Sequence, residues 1–295
     1  PVNPEYVGSF EPMYVHDSYV RNDTLYAAAI DPGGGLYVVD VRDKLFPVTL
    51  GKIIYSGNGT HNAWATIDGK YAITCDEIHA TAHDMKIWAL DSLPKSVKVA
   101  EWVAEPTSNI HNVHGRGNYA YVAHYTAGMR VVDVHDPRNP VEVGAHDTYP
   151  GPSGGFAGCW GVYPYFPSGR WIGSDMQTGL YLCSFDQLLP RVRSSLLAPP
   201  DNSTFSSATE FRWQRAADPA EDPHQYALHL WGLGLDTLLA VADTSVVPLL
   251  GALLPATGGY SWSILIQDEF TEISSADTFH FTYTGTVGIA EPVIL

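Results

Sequence analysis

The residues in this chain that could do chemistry recur at near-regular intervals. His16-Asp17, His61-Asn62 and His111-Asn112 are alike, and Cys159-Trp160 falls at the matching fourth place, at steps of 45, 50 and 48 residues. A second set, Asp76, Glu77, His124 and Asp175, closes short apolar runs that come after those starts. Imidazoles and carboxylates that converge on one polar opening make a donor set for a divalent metal ion. The candidate ligands are His16, Asp17, His61, Asp76, Glu77, His111 and His124, with Asn62, Asn112, Trp160 and Asp175 lining the same opening. Histidines repeated at one structural position can equally act as staples, each tying a neighbouring backbone group. The sequence leaves both readings open.

Other chemistries find little support. The chain has no GxSxG elbow, no phosphate-binding loop and no GxGxxG. Asp31-Pro32-Gly33-Gly34-Gly35 is Gly-rich but precedes a strand pattern, so it reads as a turn. Asp76 and Glu77 are neighbours on one predicted strand and must point to opposite faces, a poor geometry for a glycosidase pair. His79 and His83 beside Asp84 have the spacing of ligands on one helical turn, yet they sit in a predicted loop, and nothing matches HExxH. No catalytic residue is assigned, and a divalent metal is the one cofactor considered.

What positions the recurring residues must itself recur. Gly35-Leu36-Tyr37-Val38-Val39-Asp40, Gly128-Met129-Arg130-Val131-Val132-Asp133 and Gly179-Leu180-Tyr181-Leu182-Cys183-Ser184 share one pattern, and Lys86-Ile87-Trp88-Ala89-Leu90-Asp91 adds a fourth copy. A period of 45 to 50 residues with about four short strands per repeat is the signature of β-propeller blades. In the third repeat the strands fall at Asn112 to Arg116, Tyr119 to His124, Met129 to Val134 and Val141 to His146. Their apolar runs are nearly continuous, as sheets covered on both faces require. In a propeller the start of the inner strand and the end of the second share one face. That shared face collects the histidines and carboxylates at one channel mouth.

The fourth repeat stops early, with no outer strand after Phe185, while Pro1 to Phe10 resembles an outer strand without its blade. Either the N-terminal strand completes blade four and closes a ring, or the four blades belong to a larger propeller. From Ser194 the pattern changes to alternating strands at 211–213, 225–230, 260–266 and 278–284, about the size of one β-sandwich, with Trp213 and Trp262 as core residues on opposing sheets. The expected division is residues 1–190 as propeller, 191–288 as sandwich and 289–295 as linker.

Composition narrows the function class. Asp and Glu number 32 against 16 Lys and Arg, a net charge of −16, which repels phosphate backbones and anionic lipid. No apolar run approaches the ~20 residues that span a bilayer. Cys75, Cys159 and Cys183 are odd in number and fit no CxxC motif, so they read as small strand hydrophobes.

Several motifs are similar to those of secreted LVIVD-repeat proteins of the choice-of-anchor B family. They are Tyr14-Val15-His16-Asp17, His61-Asn62-Ala63-Trp64-Ala65-Thr66, Cys75-Asp76-Glu77, His111-Asn112-Val113, Gly117-Asn118-Tyr119-Ala120-Tyr121, Tyr125-Thr126-Ala127-Gly128-Met129-Arg130 and Tyr163-Pro164-Tyr165-Phe166-Pro167-Ser168-Gly169. The resemblance implies a propeller exported to the cell surface, with no settled enzymatic activity. Residues 191–288 resemble a fibronectin type III or immunoglobulin-like spacer. The tail from Gly288 to Leu295 resembles the linker before a type IX secretion sorting domain. The expectation is an extracellular recognition or assembly scaffold that binds protein or glycan. The alternatives are a metal-dependent hydrolase or lyase at the channel mouth, and a homo-oligomer or filament built through open strand edges.

Overall fold

The computed structural model describes residues 5–78, 82–166, 168–185, 193–216, 224–267 and 272–287. Its contacts divide the chain into two units, one formed by residues 1–165 and 170–185, the other by 166–169 and 186–295.

The first unit is a succession of antiparallel propeller blades. Blade one contains β1 (Asp17–Arg21), β2 (Thr24–Ala29), β3 (Gly35–Asp40) and β4 (Val48–Ile53). Blade two follows with β5 (Thr60–Ala65), β6 (Tyr71–Asp76), β7 (Met85–Ala89) and β8 (Val97–Trp102). Blade three has β9 (Asn112–Arg116), β10 (Tyr119–His124), β11 (Gly128–Asp133) and β12 (Val141–His146), within a residue of the strands read from the sequence. Blade four has three strands, β13 (Cys159–Tyr163), β14 (Arg170–Asp175) and β15 (Gly179–Ser184). Successive inner strands β1, β5, β9 and β13 pack on one another, while among the described residues blades one and four share no comparable interface.

Small and large residues interlock between blades. Ala28, Leu36, Val38 and Ile53 of blade one meet Ala63, Ala65, Ala72 and Trp88 of blade two in one core. Trp64 stacks on Tyr19 at 3.8 Å, and Gly115 leaves room for it, since a Cβ there would lie 2.5 Å from the indole. The register of β7 places Lys86 opposite Thr74, as Arg130 lies opposite Val122 and Tyr37 opposite Ala27. The fourth copy of the repeat is therefore offset by two residues from the alignment its sequence suggests.

The N-terminal expectation is corrected. Residues 5–10 form no strand and do not complete blade four. Phe10, Met13 and Val15 instead cover the free face of blade one, against Ala27, Ala29, Tyr37 and Val39. Among the described residues no other blade lies on that apolar face, and covering it takes apolar surface out of water.

The second unit has two sheets. One has the order β16 (Leu196–Ala198), β18 (Phe211–Trp213), β21 (Ser245–Val246). The other runs β17 (Ser203–Phe205), β24 (Phe279–Tyr283), β22 (Gly258–Gln267), β19 (Gln225–Gly232), β20 (Leu235–Val241), with β23 (Glu272–Ser274) on β22. Trp213 of the first sheet and Trp262 of the second are buried in a single core with Phe211, Leu228, Ile264 and Phe281. A one-turn helix, α1 (Leu250–Leu253), adds Leu250 to it. All three cysteines are free, Cys75 and Cys159 buried and Cys183 half-buried.

Candidate functional site

The three matched histidines line up as a column of rings, and Trp160, one residue past the matched Cys159, continues it. His16 lies 4.2 Å from His61, His61 lies 4.3 Å from His111, and Trp160 stands 5.0 Å from His111, all by ring centroids. His16 and Trp160 are the exposed ends, and His61 and His111 are buried between them at 4% and 3% exposure. Each blade contributes one member because each inner strand begins at the same depth in its blade.

Glu77 faces the middle of this column. It follows β6, held by its backbone N–H to the Gly59 carbonyl. Its carboxylate lies 3.3 Å from Nε2 of His61 and 3.8 Å from Nε2 of His111. One ligand atom from each of these three residues falls within 4.8 Å of the others. Tyr125 donates its hydroxyl to Oε1 of Glu77 at 2.5 Å, and its ring stands edge-on to His111. Burial pushes both imidazoles below their ordinary pKa, His111 down to about 3, so both rings are neutral near pH 7. Burial, then the bond and charge of Glu77, pushes the Tyr125 hydroxyl up.

Tyr125 is a site residue that the first reading of the sequence does not single out. It occupies the repeat position of Glu77, one residue past the strand end, which was the available signal. Its φ of 26° lies in the left-handed region, a conformation that costs a non-glycine residue roughly 1–3 kcal/mol. Two backbone donors, Gly128 and Cys159, fix its carbonyl, and Gly158 at φ 99° leaves space where a Cβ would fall 2.3 Å from that oxygen. The backbone is thus locked in the one geometry that aims the hydroxyl at Glu77.

His111 acts across a blade joint as well. Its Nδ1 donates to the Trp160 carbonyl at 2.5 Å, which fixes the ring's tautomer and orientation. Asn62 is the other staple, donating to Asp17 Oδ2 at 2.8 Å and accepting from the Val113 N–H at 2.9 Å, so it ties blades one, two and three together. Asp17 is occupied by that bond and by the Ser18 N–H rather than joining the Glu77 group.

Asp76 points the other way, into the blade rather than toward the ring column. It is fully buried and accepts from the Tyr55 hydroxyl and from Nζ of Lys86, each at 2.6 Å, with the Gly59 N–H and Thr60 hydroxyl at 3.3 and 3.4 Å. Lys86 also bridges to Asp84. Burial works against the Lys86 ammonium, but the two carboxylates outweigh it and raise its pKa. As a ligand candidate, Asp76 is corrected to one member of a closed ion cluster.

His124 and Asp175 share the repeat position of Asp76 and likewise stand apart from the ring column. The His124 ring is fully buried edge-on to Trp102, and burial lowers its pKa to about 4. Asp175 caps the turn after β14 through Thr148, Gln177 and Thr178. Burial raises its pKa, but those bonds prevail and hold it low. Asn112 lies on the inner strand with Oδ1 unpartnered among the described residues. His83 donates Nδ1 to the Glu77 carbonyl, and His79 lies outside the described residues.

Comparison with known proteins agrees with the blade architecture. Residues 110–148, spanning blade three, match the LVIVD repeat. No curated protein matches the chain. Solved structures similar to the chain include two of low identity. One is the β-propeller domain of Myceliophteria thermophila Cps50 (Swd1), at 12% identity and a TM-score of 0.38, over 54% of this chain and 46% of that one. The chain thus spans under half the length of that propeller. The other is the periplasmic gluconolactonase of Pseudomonas aeruginosa, at 13% identity and a TM-score of 0.47, over 90% of this chain and 71% of that one. Neither likeness speaks to activity. Among the described residues no helix is long and apolar enough to cross a membrane. The blades and the matched repeat make this chain a β-propeller protein that carries an LVIVD repeat.

Proposed function

We propose that this chain is an exported, non-enzymatic recognition scaffold, whose channel mouth binds a glycan or protein at the cell surface. The observation that carries the reading is the rim of the ring column. Trp160 and Phe156 are each 52% exposed and Tyr14 and His16 are also open to solvent, all beside the buried Glu77 group. Exposed rings around a few oriented polar groups form a recognition surface, and an exposed tryptophan is a frequent energetic anchor. Among the described residues no serine or cysteine nucleophile stands next to a histidine base, and both buried cysteines are held as thiols by burial. The second unit serves as a fibronectin type III-like spacer toward an anchor.

The test is a panel of immobilised cell-envelope glycans and proteins, probed with the wild-type chain and with Trp160→Ala. The reading requires a panel member that wild type retains unaltered and the variant releases. Turnover of an ester, lactone or glycoside that disappears with Glu77→Gln would replace it with a hydrolytic function. Export is tested separately, by fractionating the native host cells and locating the chain with an antibody.

A further inference from the structure

We infer that His61, Glu77 and His111 form a binding site for one divalent cation of the zinc type. The donor set is two imidazole nitrogens and a carboxylate, which suits a borderline metal and leaves a fourth position open. The spacing is close to what such a metal needs. Bonds of about 2.0–2.1 Å in tetrahedral array put ligand atoms roughly 3.4 Å apart. The separations here are 3.3 Å from Nε2 of His61 to Oε2 of Glu77 and 3.8 Å from Nε2 of His111 to its Oε1. All three ligand atoms fall within 4.8 Å of one another, so shifts of an ångström or less complete the site.

The tautomer of His111 strengthens the case. The Trp160 carbonyl can only accept, so Nδ1 carries the hydrogen and Nε2 presents a lone pair. That lone pair faces the Glu77 carboxylate across 3.8 Å in a buried setting. Two electron-rich atoms held in opposition are mutually satisfied by a cation between them. A ligating histidine that gives its other N–H to a backbone carbonyl is the usual arrangement around bound metal. Tyr125 steadies the carboxylate at Oε1, the oxygen nearer His111, on the locked backbone described above. His61 supplies the second imidazole, its Nε2 lying 3.3 Å from the Glu77 carboxylate. The Asp76 cluster already holds its own cation, Lys86, and is no site of this kind. The inference stands on this geometry alone, whatever the rim recognises.

The experiment uses the full chain without a histidine tag, stripped with chelator, and titrated with Zn²⁺ and Co²⁺. The expected result is uptake of one equivalent and a raised Tm with zinc. Cobalt should give the intense visible bands of a four- or five-coordinate complex. Glu77→Gln, His111→Gln and His61→Gln should each weaken binding by roughly 100-fold or more, at or above the scale known for the supporting groups of a metal site. A double variant of the exposed pairs, His229→Gln with His280→Gln, should bind as wild type does. No saturable uptake by the folded wild type overturns the inference. So does uptake that survives Glu77→Gln but disappears with the double variant. Should a site variant fail to fold, the wild-type cobalt spectrum decides, and the pale spectrum of a six-coordinate ion overturns the assignment.

Discussion

Asp76 and Glu77 are consecutive residues, and they enter two polar clusters of opposite design. Asp76 meets a lysine, a tyrosine hydroxyl, a threonine hydroxyl and a backbone N–H, with its charge answered inside the protein. Glu77 meets two histidines that burial keeps neutral and a tyrosine hydroxyl, and no Lys or Arg lies within ion-pair reach among the described residues. A buried charge is expensive unless it is paired. The first cluster is a closed joint of the blade. The second is incomplete in a way that a positively charged visitor corrects. Two neighbouring carboxylates thus separate a structural role from a functional one.

The comparison can be broken most forcefully at Lys86. Lys86→Met leaves Asp76 and Asp84 without their cation, and should cost about 3–5 kcal/mol of stability by urea unfolding while leaving zinc uptake intact. A loss below ~1 kcal/mol would show that the Asp76 cluster is not closed. Acid titration sharpens the same distinction at His124, which shares the repeat position of Asp76. Its folded pKa of about 4 lies below the ordinary 6.5, so the unfolded chain takes up the proton first as pH falls. This contribution is full above pH 6.5 and is lost between 6.5 and 4, at about 1.4 kcal/mol per pH unit for this one group. His124→Gln should flatten that part of the profile.

Removing a staple should have a moderate effect. Asn62→Ala leaves the Val113 N–H unpaired in a buried place and frees Asp17, so roughly 1–3 kcal/mol should be lost by the same assay. Glu77→Gln in metal-free protein should change stability by under ~1 kcal/mol, because it removes a charge that has no internal counter-ion. A loss as large as that of Lys86→Met would make the two clusters alike. Trp160→Ala should be smallest of all, within about 0.5 kcal/mol, since the ring is half exposed, while ligand retention falls.

Much of this frame is legible in the chain itself. The period of 45 to 50 residues names the blades, and the matched His16, His61 and His111 do form one column, which Trp160 joins from one residue past the matched Cys159. Period-two alternation separates Asp76 from Glu77, yet it cannot say which faces the ring column. That depends on the irregular pairing between Thr60 and Asn62 at the start of β5. Tyr125 was hidden because its positive φ re-aims a residue that a strand pattern leaves unplaced. Lys86 was hidden because one partner, Asp76, reaches it only through the pairing of β6 with β7, while Asp84 is two residues away. The choice between staple and ligand was a false one for His111, which staples with Nδ1 and offers Nε2 to Glu77.

The most direct test of the contrast between the two carboxylates is anomalous diffraction at the zinc edge, on crystals of the wild-type chain grown with one equivalent of zinc. The account predicts one strong peak about 2.0–2.1 Å from Nε2 of His61, Nε2 of His111 and a Glu77 oxygen, with Lys86 still seated on Asp76. A peak at Asp76 and Asp84, or none in the first unit, would contradict it.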